Sequence, residues 1–229
     1  IPTYKREAQL AIAVQSVLEQ KSDKFDIEII VVNDAGEPLK EADWQKEPNV
    51  FVYNTYKTER CFARNAGAAL SKGDWIHFLD DDDCLVSGAY NALIDVISSD
   101  DIIWVYGAFE LVSNDGELID LRKPHWKGNI FAEAIAGDTI PQQASLWKRE
   151  AFFKCGGFDP QFPSYEDKEC EHRLSLMGLV EYTEKVICKI RFGIESSTSQ
   201  WSTHDENGRI AREKAFDIPN SFNHIKKSL

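Results

Sequence analysis

The sequence predicts an α/β fold in which a mostly parallel, twisted sheet carries helices on both faces. Over the first hundred residues, strand-like apolar runs alternate with segments of helical periodicity, which is the pattern of a parallel sheet. Residues 27–32 (IEIIVV) form a continuous apolar run typical of a buried parallel strand. The 229 residues are 43% hydrophobic and 11% aromatic, so the composition is that of a globular domain with a sizeable core.

The elements of the first half can be placed in order. Leu10, Val14 and Val17 recur on one face of a helix predicted over residues 7–20. Further helices and strands are then predicted as follows: strands over 49–53, 74–79 and 102–106, and helices over 60–71 and 87–97. Ligands of such sheets bind beyond the carboxyl ends of the strands, so the polar residues at those ends are the first functional signal.

The second half is less regular and predicts a smaller, mixed region. Its predicted elements are a hairpin over 109–121 with its turn at 114–116, a helix over 128–136, strands at 144–147 and near 179–192, and a Gly/Pro-rich loop over 155–167 followed by a helix to about 177. We expect a single domain over residues 1–229, with its two parts dividing near residue 100. Because the chain opens at Ile1-Pro2, in what reads as the end of a strand, we expect a fragment that lacks some N-terminal residues of that strand.

Charge and cysteine content exclude several classes of protein. Acidic residues outnumber basic ones 38 to 26, for a net charge of −12, and this disfavours non-specific nucleic-acid binding. Five cysteines at irregular spacing, with no CxxC pair, predict neither a disulfide framework nor a zinc site and favour reduced thiols in the cytosol. No apolar run is long enough for a membrane span, and no signal peptide is expected.

Four consecutive aspartates follow the strand predicted at 74–79 (FLDDDDCL, 78–85). Like charges about 4 Å apart repel by roughly 4 kcal/mol near a protein surface, so some compensation is expected. Side chains alternate along an extended segment, so Asp80 and Asp82 would face one Mg²⁺ or Mn²⁺ ion and Asp81 would point elsewhere. The ordinary alternative is a solvated acidic loop, but a run directly after a buried strand favours the metal site.

Two further stretches carry candidate site residues. Arg60 and Arg64 lie four residues apart on one face of a helix near its start, where backbone N–H groups also favour an anion. The alternative is a surface arginine pair bonded to a nearby acid. Asp167 extends the apolar stripe of its helix, and it either interacts with the helix N-terminus or serves as a positioned general base.

With these motifs placed, the chain resembles the family 2 glycosyltransferases, an inverting group with the GT-A fold. The stretches that carry the resemblance are IPTYKR (1–6), SVLEQ (16–20), IEIIVVNDAG (27–36), ARNAGAALSKGDWIHFLDDDD (63–83) and GGFDPQFPSYEDKECEHRL (156–174). They span roughly the first 175 residues in the family's order and are highly specific together. The resemblance implies a nucleotide-sugar donor, a Mn²⁺ or Mg²⁺ ion on a DxD-type motif and a carboxylate base.

The resemblance assigns a role to each matching residue. Residues 1–100 would bind the donor, and residues 101–229 would bind the acceptor and carry the base. Asp167 would be the base, and Asp82, helped by Asp80, would hold the metal. The donor-binding residues would be Thr3 and Tyr4 at the nucleobase, Asp34 at the base edge, Asp81 at the ribose, and Arg6 with Arg60 or Arg64 at base or phosphate.

One departure from the family concerns the metal. Many relatives have Arg-x-His in a late strand, where this chain has Arg191-Phe192-Gly193, so a histidine ligand is not expected there and His204 is only a weak substitute. The resemblance further implies a UDP-sugar as the default donor and a glycan or lipid-linked glycan as the acceptor. It also implies a cytoplasmic location, with peripheral association at the inner membrane face, in bacterial surface polysaccharide synthesis.

Two other functions fit parts of the pattern. A sugar-phosphate nucleotidyltransferase also uses an α/β domain and carboxylate-bound Mg²⁺, but the segment after the first strand (PTYKREAQL) has no glycine-rich loop. A non-catalytic domain that binds nucleotide or glycan on the same scaffold is the other alternative. No GxSxG, GxxxxGK[ST] or HExxH motif indicates a different chemistry.

Overall fold

The computed structural model describes residues 1–137, 140–192 and 201–228. It contains helices and two β-sheets. The strands are β1 (Pro2–Thr3), β2 (Ile29–Asn33), β3 (Val50–Asn54), β4 (Trp75–Ile76), β5 (Cys84–Leu85), β6 (Ile102–Val112), β7 (Leu118–Arg122), β8 (Ser145–Lys148) and β9 (Leu179–Arg191). The α-helices are α1 (Glu7–Leu18), α2 (Arg60–Leu70), α3 (Ala89–Ile94), α4 (Phe131–Ala136), α5 (Arg149–Lys154), α6 (Glu166–Leu174), α7 (Trp201–Phe216) and α8 (Ser221–Ser228).

The first sheet is fully parallel, in the order β1-β2-β3. Its central strand, β2, is buried along its whole length, as the continuous apolar run predicts. Helix α2 packs closely on this sheet, because a Cβ atom added at Gly67 would lie 3.3 Å from Val32 Cγ2. The absence of a side chain at Gly67 therefore lets this helix approach the sheet closely.

The second sheet is mixed and has six strands, in the order β4-β8-β6-β9-β5, with β7 paired to β6. Its long central pair, β6 and β9, is parallel, whereas the β4–β8, β6–β8, β6–β7 and β5–β9 pairs are antiparallel. The α/β class with a parallel sheet is thus confirmed. The mixed region holds more of the strands than expected, since β4 and β5 pair with late strands and not with β1.

The segment before the aspartates is shorter as a strand than predicted. Only Trp75–Ile76 of residues 74–79 pair with a neighbour, and residues 77–83 cross without ladder bonds to β5. Phe78 and Leu79 are nevertheless buried. They anchor the start of the acidic run in the core by packing rather than by strand pairing.

Two apolar clusters make up most of the core. One joins α1, α3 and β2 to Ile102, Val105 and Ile187 from the second half of the chain. The other is rich in aromatic rings, with Phe78 in edge contact with Trp147 and with Phe158 at centroid distances of 5.4 and 4.8 Å. All five cysteines are free thiols. The two halves of the chain therefore share packed residues across the division near residue 100.

Candidate active site

The four aspartates form a turn between β4 and β5. The backbone N–H of Asp83 donates to the carbonyl of Asp80 at 3.2 Å, so the run folds back on itself after three residues. Alternation of side chains holds only for extended backbone, so the argument that Asp80 and Asp82 face one way does not apply to this turn. Their convergence on one ion stays a prediction, and the carboxylates meet donors from several elements.

Asp80 is held by two side chains from other elements. Its Oδ1 accepts from Arg64 Nη2 at 2.6 Å, and its Oδ2 accepts from Gln143 Nε2 at 2.7 Å. Burial would raise the pKa of Asp80, but the charge and hydrogen bond of Arg64 outweigh it and keep the pKa below its usual range. Asp80 is therefore a fixed carboxylate with both oxygens engaged.

Asp81 and Asp82 share one arginine. Arg6 Nη1 lies 3.0 Å from Asp81 Oδ1 and 2.8 Å from Asp82 Oδ2, and the Thr3 hydroxyl donates to Asp81 Oδ2 at 2.7 Å. Asp81 is buried, and that burial raises its pKa despite the Thr3 hydrogen bond and the Arg6 charge. The Asp82 side chain is 34% exposed, which makes it the accessible carboxylate of these two.

Asp83 points into the protein toward β9. Its Oδ1 accepts from the backbone N–H of Arg191 at 2.8 Å, and burial followed by the charge of Asp80 raises its pKa well above the usual range. Arg191 Nε also donates to the Asp82 carbonyl at 3.2 Å, and its Nη1 donates to the Asn114 carbonyl in the β6–β7 turn. The last aspartate thus anchors the turn to the second sheet.

Arg64 links the aspartate turn to α6. Its guanidinium is 5% exposed and donates from Nη1 to Glu166 Oε1 at 2.7 Å, in addition to its bond with Asp80. Oriented with its carbonyl toward Arg64, the Gln142 amide accepts from Nη2 at 2.7 Å. Burial would lower the pKa of Arg64, but Asp80 and Glu166 outweigh it and raise the pKa above its ordinary value.

Asp167 lies in the first turn of α6, next to Glu166. The residue before the helix, Tyr165, has a φ of 70°, and no side-chain hydrogen bond caps this end. Asp167 is half-buried, and its Oδ1 accepts from the N–H of Lys168 at 2.8 Å. Asp167 is therefore not the N-cap residue, but it does interact with the helix N-terminus through the Lys168 N–H, and its role as general base stays a prediction.

Asp34 holds the loop that leads into α2. Its carboxylate accepts from the hydroxyls of Thr55 and Thr58 at 2.7 and 2.9 Å, and from the backbone N–H groups of Thr58 and Glu59 at 2.8 to 3.2 Å. Burial would raise the pKa of Asp34, but these hydrogen bonds outweigh it and lower the pKa. Asp34 thus fixes the backbone just before Arg60.

The comparisons with known proteins agree with this geometry. Residues 1–159 match the sequence model of the family described as Glycosyl transferase family 2. The chain belongs to glycosyl transferase family 2. A Haemophilus influenzae protein named as an uncharacterized glycosyltransferase is 30% identical over 176 residues, which are 73% of this chain and 58% of that protein.

A Campylobacter jejuni relative is named as a GalNAc(5)-diNAcBac-PP-undecaprenol beta-1,3-glucosyltransferase. It is 34% identical over 100 residues, which are 41% of this chain and 32% of the relative. The chain therefore spans less than two thirds of the length of either protein.

The fold is similar to that of a solved glycosyltransferase. Residues 1–349 of S. aureus TarS, in complex with UDP-GlcNAc, superpose with a TM-score of 0.68 at 16% identity, covering 92% of this chain and 63% of that one. At this identity the likeness establishes the fold, which is that of the GT-A glycosyltransferases. The predicted fold class and family are both confirmed.

Most of the predicted site residues of this family 2 chain lie in one connected network. The network has two hydrogen-bonded groups, Thr3–Asp81–Arg6–Asp82 and Asp80–Arg64–Glu166, which the backbone of the aspartate turn connects, and Asp167 directly follows Glu166 in the chain. Tyr4 is 46% exposed beside Thr3. Arg60, with a 41% exposed side chain, lies 3.5 Å from Glu166 and follows the loop that Asp34 holds. The individual roles of these residues stay predictions.

Sequence reasoning missed three residues of this network. Glu166 was noted only as the neighbour of Asp167, yet it bonds to Arg64. Gln143 and Arg191 also fix the aspartate turn; Gln143 lies in no motif, and Arg191 was noted only as the start of the segment that lacks the family's histidine. Only Glu166 carried a signal, because a second acid beside a candidate base has to be compensated by a nearby cation.

The donor set fits a divalent ion with few protein ligands. Such ions take one or two carboxylates and complete their shell with water and phosphate oxygens. The exposed carboxylate of Asp82 offers this, whereas both oxygens of Asp80 are engaged. Within the described ranges, no three His, Cys, Asp or Glu side chains are grouped to hold a metal. The side chain of His204 lies outside the described part of the structure.

In the described part of the chain, no helix has both the length and the apolar character needed to cross a bilayer.

Proposed function

We propose that this chain is the catalytic domain of an inverting glycosyltransferase. It moves a sugar from a nucleoside diphosphate sugar, most simply a UDP-sugar, to a hydroxyl of a glycan or lipid-linked glycan. The observation that carries the proposal is the Asp80–Arg64–Glu166 contact, which brings the aspartate turn and the helix start with Asp167 to one place. A transferase needs a leaving-group site and a base within one substrate length of each other.

The donor would lie along the network at the ends of β1, β2 and β4. Thr3, Tyr4 and Asp34 would contact the nucleobase, Asp81 the ribose, and Arg6, with Arg60 or Arg64, the base or diphosphate. This proposal is supported by the positions of Thr3, Tyr4 and Asp34 at the carboxyl ends of the parallel strands β1 and β2, where nucleotides bind in α/β folds. Asp82 would hold a Mn²⁺ or Mg²⁺ ion, with help from Asp80. When bound, the ion supplies Lewis-acid stabilisation of charge on the diphosphate.

Asp167 would act as the general base. Its carboxylate accepts the proton of the acceptor hydroxyl while that oxygen forms a bond to the anomeric carbon from the face opposite the diphosphate. The bond from the anomeric carbon to the diphosphate oxygen breaks with its electron pair, so configuration inverts and a nucleoside diphosphate leaves. Half-burial of Asp167 suits this role, because a base must be both reachable and positioned.

The acceptor class rests on the relatives. The Campylobacter relative is named for a diphosphoundecaprenol-linked substrate, and a lipid-linked glycan is accordingly proposed for this chain. Such an acceptor is presented at a membrane face, and we propose that the activity takes place at the cytoplasmic side, in bacterial surface polysaccharide synthesis.

Calorimetry followed by turnover assays tests the proposal. Binding of UDP in the presence of Mn²⁺, and slow Mn²⁺-dependent hydrolysis of one member of a nucleotide-sugar panel, are the expected results. Release of pyrophosphate from a nucleoside triphosphate plus a sugar 1-phosphate would instead identify a nucleotidyltransferase. Nucleotide or glycan binding without any hydrolysis or transfer would identify a non-catalytic domain and overturn the proposal.

A further inference from the structure

Arg64 is more buried than an arginine that contacts a bound ligand is expected to be. It lies within α2, its side chain is 5% exposed, and it contacts three other parts of the chain: the aspartate turn, the segment at Gln142 and the start of α6. The ring of Phe158 lies 5.6 Å from the guanidinium carbon and covers one face. A bound donor therefore has little access to this group.

The way in which Arg64 divides its donors is informative. A guanidinium that merely neutralised one buried acid would commonly bind it in bidentate fashion. Here Nη2 donates to Asp80 and Nη1 donates to Glu166, so one rigid planar group sets the separation of two carboxylates from distant parts of the chain. Burying such ions is costly, and an arrangement of this kind contributes more to geometry than to stability.

The position of Glu166 passes that geometry on to the candidate base. Glu166 is buried and directly precedes Asp167, while Tyr165 before it has left-handed backbone, which is uncommon for a bulky residue. No side chain caps the first turn of α6. That turn is held instead by the hydrogen bond between the Glu166 carboxylate and Arg64.

We propose that Arg64 is a positioning residue: through Glu166 it sets where the Asp167 carboxylate stands relative to the aspartate turn. The inference rests on the proposed function and narrows the choice between the two arginines of α2. Arg60 also lies 3.5 Å from Glu166, but its side chain is 41% exposed, so it is the arginine of this pair within reach of the donor. Loss of Arg64 then lowers turnover and leaves donor binding nearly unchanged. A displacement of about 1 Å can cost on the order of a hundredfold in rate.

The test compares Arg64→Lys with Arg173→Lys. Lysine keeps the charge but cannot hold two carboxylates with a planar fork. Arg173 is a matched control. It is a largely buried arginine in the last turn of α6, and it pairs with Glu169 of the same helix. We expect both variants to melt at lower temperature. Only Arg64→Lys should lose kcat, by about ten- to a hundredfold, with the Kd for UDP and Mn²⁺ changed less than threefold.

Glu166→Gln supplies a second route to the same point. It should lower kcat with little change in donor KM, and the Arg64→Lys/Glu166→Gln pair should lose much less than the product of the two single losses. An unchanged kcat in Arg64→Lys overturns the proposal. A fall in UDP affinity that accounts for the whole loss also overturns it and makes Arg64 a donor contact.

Amide hydrogen exchange separates this proposal from the proposed function. In Arg64→Lys, residues 165–168 should exchange faster than in the wild-type chain, and in Arg173→Lys they should not. This readout needs no turnover. If the wild-type chain shows no transfer or hydrolysis, the proposed function fails, while unaltered exchange at 165–168 in Arg64→Lys rejects the positioning role by itself.

Discussion

Arg6 Nη1 lies 2.8 Å from Asp82 Oδ2, so a cation from the protein already faces the carboxylate proposed to hold a metal ion. The same nitrogen lies 3.0 Å from Asp81 Oδ1. Charges this close compete for one partner, and an incoming Mn²⁺ ion would have to displace Arg6 from Asp82 or share it. A bound diphosphate would offer Arg6 a further partner beside Asp81, and this would relieve the competition at Asp82.

Replacing Arg6 with glutamine should therefore strengthen Mn²⁺ binding in the absence of nucleotide. An increase of up to about fivefold in affinity is expected, since partly exposed ion pairs contribute about 0.2–1 kcal/mol. The affinity for UDP in the presence of Mn²⁺ should fall, because the arginine is lost from the donor site. Titration calorimetry measures both.

Lys24→Gln is the control. It removes an exposed ion pair between Lys24 and Asp95, which does not involve the aspartate turn. Weaker Mn²⁺ binding in Arg6→Gln without nucleotide would show that Arg6 does not compete with the ion.

Asp167→Asn should separate donor binding from sugar transfer. The amide cannot take a proton, so transfer should fall by about 10²- to 10⁴-fold, while UDP affinity stays within a few fold. Steady-state kinetics and calorimetry on the same preparation measure the two. Asp159→Asn, in the loop before α6 where Asp159 pairs with Lys214, should retain transfer. Turnover at the wild-type rate in Asp167→Asn would remove this residue from the role of base.

Asp34→Asn should destabilise the fold at neutral pH. The carboxylate accepts several hydrogen bonds from residues 55–59, and loss of its charge should cost about 1–3 kcal/mol. Because hydrogen bonding lowers the pKa of Asp34 in the folded chain, its contribution is present above the unfolded pKa of about 3.9 and is lost as pH falls through the folded value. Urea unfolding at several pH values should show wild type and variant converging in acid. Equal stability at pH 7 would contradict this account.

His77 should make the fold sensitive to mild acid. Its ring lies 2.9 Å from both the Tyr90 hydroxyl and the Gln143 carbonyl, and burial lowers its pKa from 6.5 to about 4. The unfolded chain therefore binds a proton before the folded chain does, so the contribution of His77 is complete above pH 6.5 and is lost as pH falls toward 4.

Thermal melts between pH 7.5 and 4.5 measure this effect. His77→Gln should flatten the decline in melting temperature, whereas His125→Gln, on an exposed side chain stacked on Trp126, should not. The same steepness in all three proteins would mean that other groups govern the acid response.

How much of this the sequence could predict depends on whether a feature is local. The buried strand at 29–33 and the helix at 60–70 follow from runs of apolar residues and from periodicity, and both lie close to their predicted bounds. The pairing of β4 with β8 and of β5 with β9 joins residues far apart in sequence, and no local pattern encodes it.

The site divides in the same way. The sequence indicated which residues are polar at strand ends, and the structure brings most of them together. It did not indicate that Asp80 to Asp83 would turn rather than extend, because that depends on the donors of Arg64, Gln143 and Arg191 around them. Nor did spacing of four residues reveal that Arg64 is buried while Arg60 is partly exposed.

The aspartate turn also has a mechanical side. It lies on the segment that runs from β4 to β5, and these two strands are the opposite edges of the six-stranded sheet. The segment thus connects the two edges of the sheet, one through the β4–β8 pair and the other through the β5–β9 pair. Substituting an aspartate changes what this connection binds. Deleting one shortens the connection and draws the two edge strands toward each other. The number of residues in FLDDDDCL is under constraint for that reason, independently of their charge.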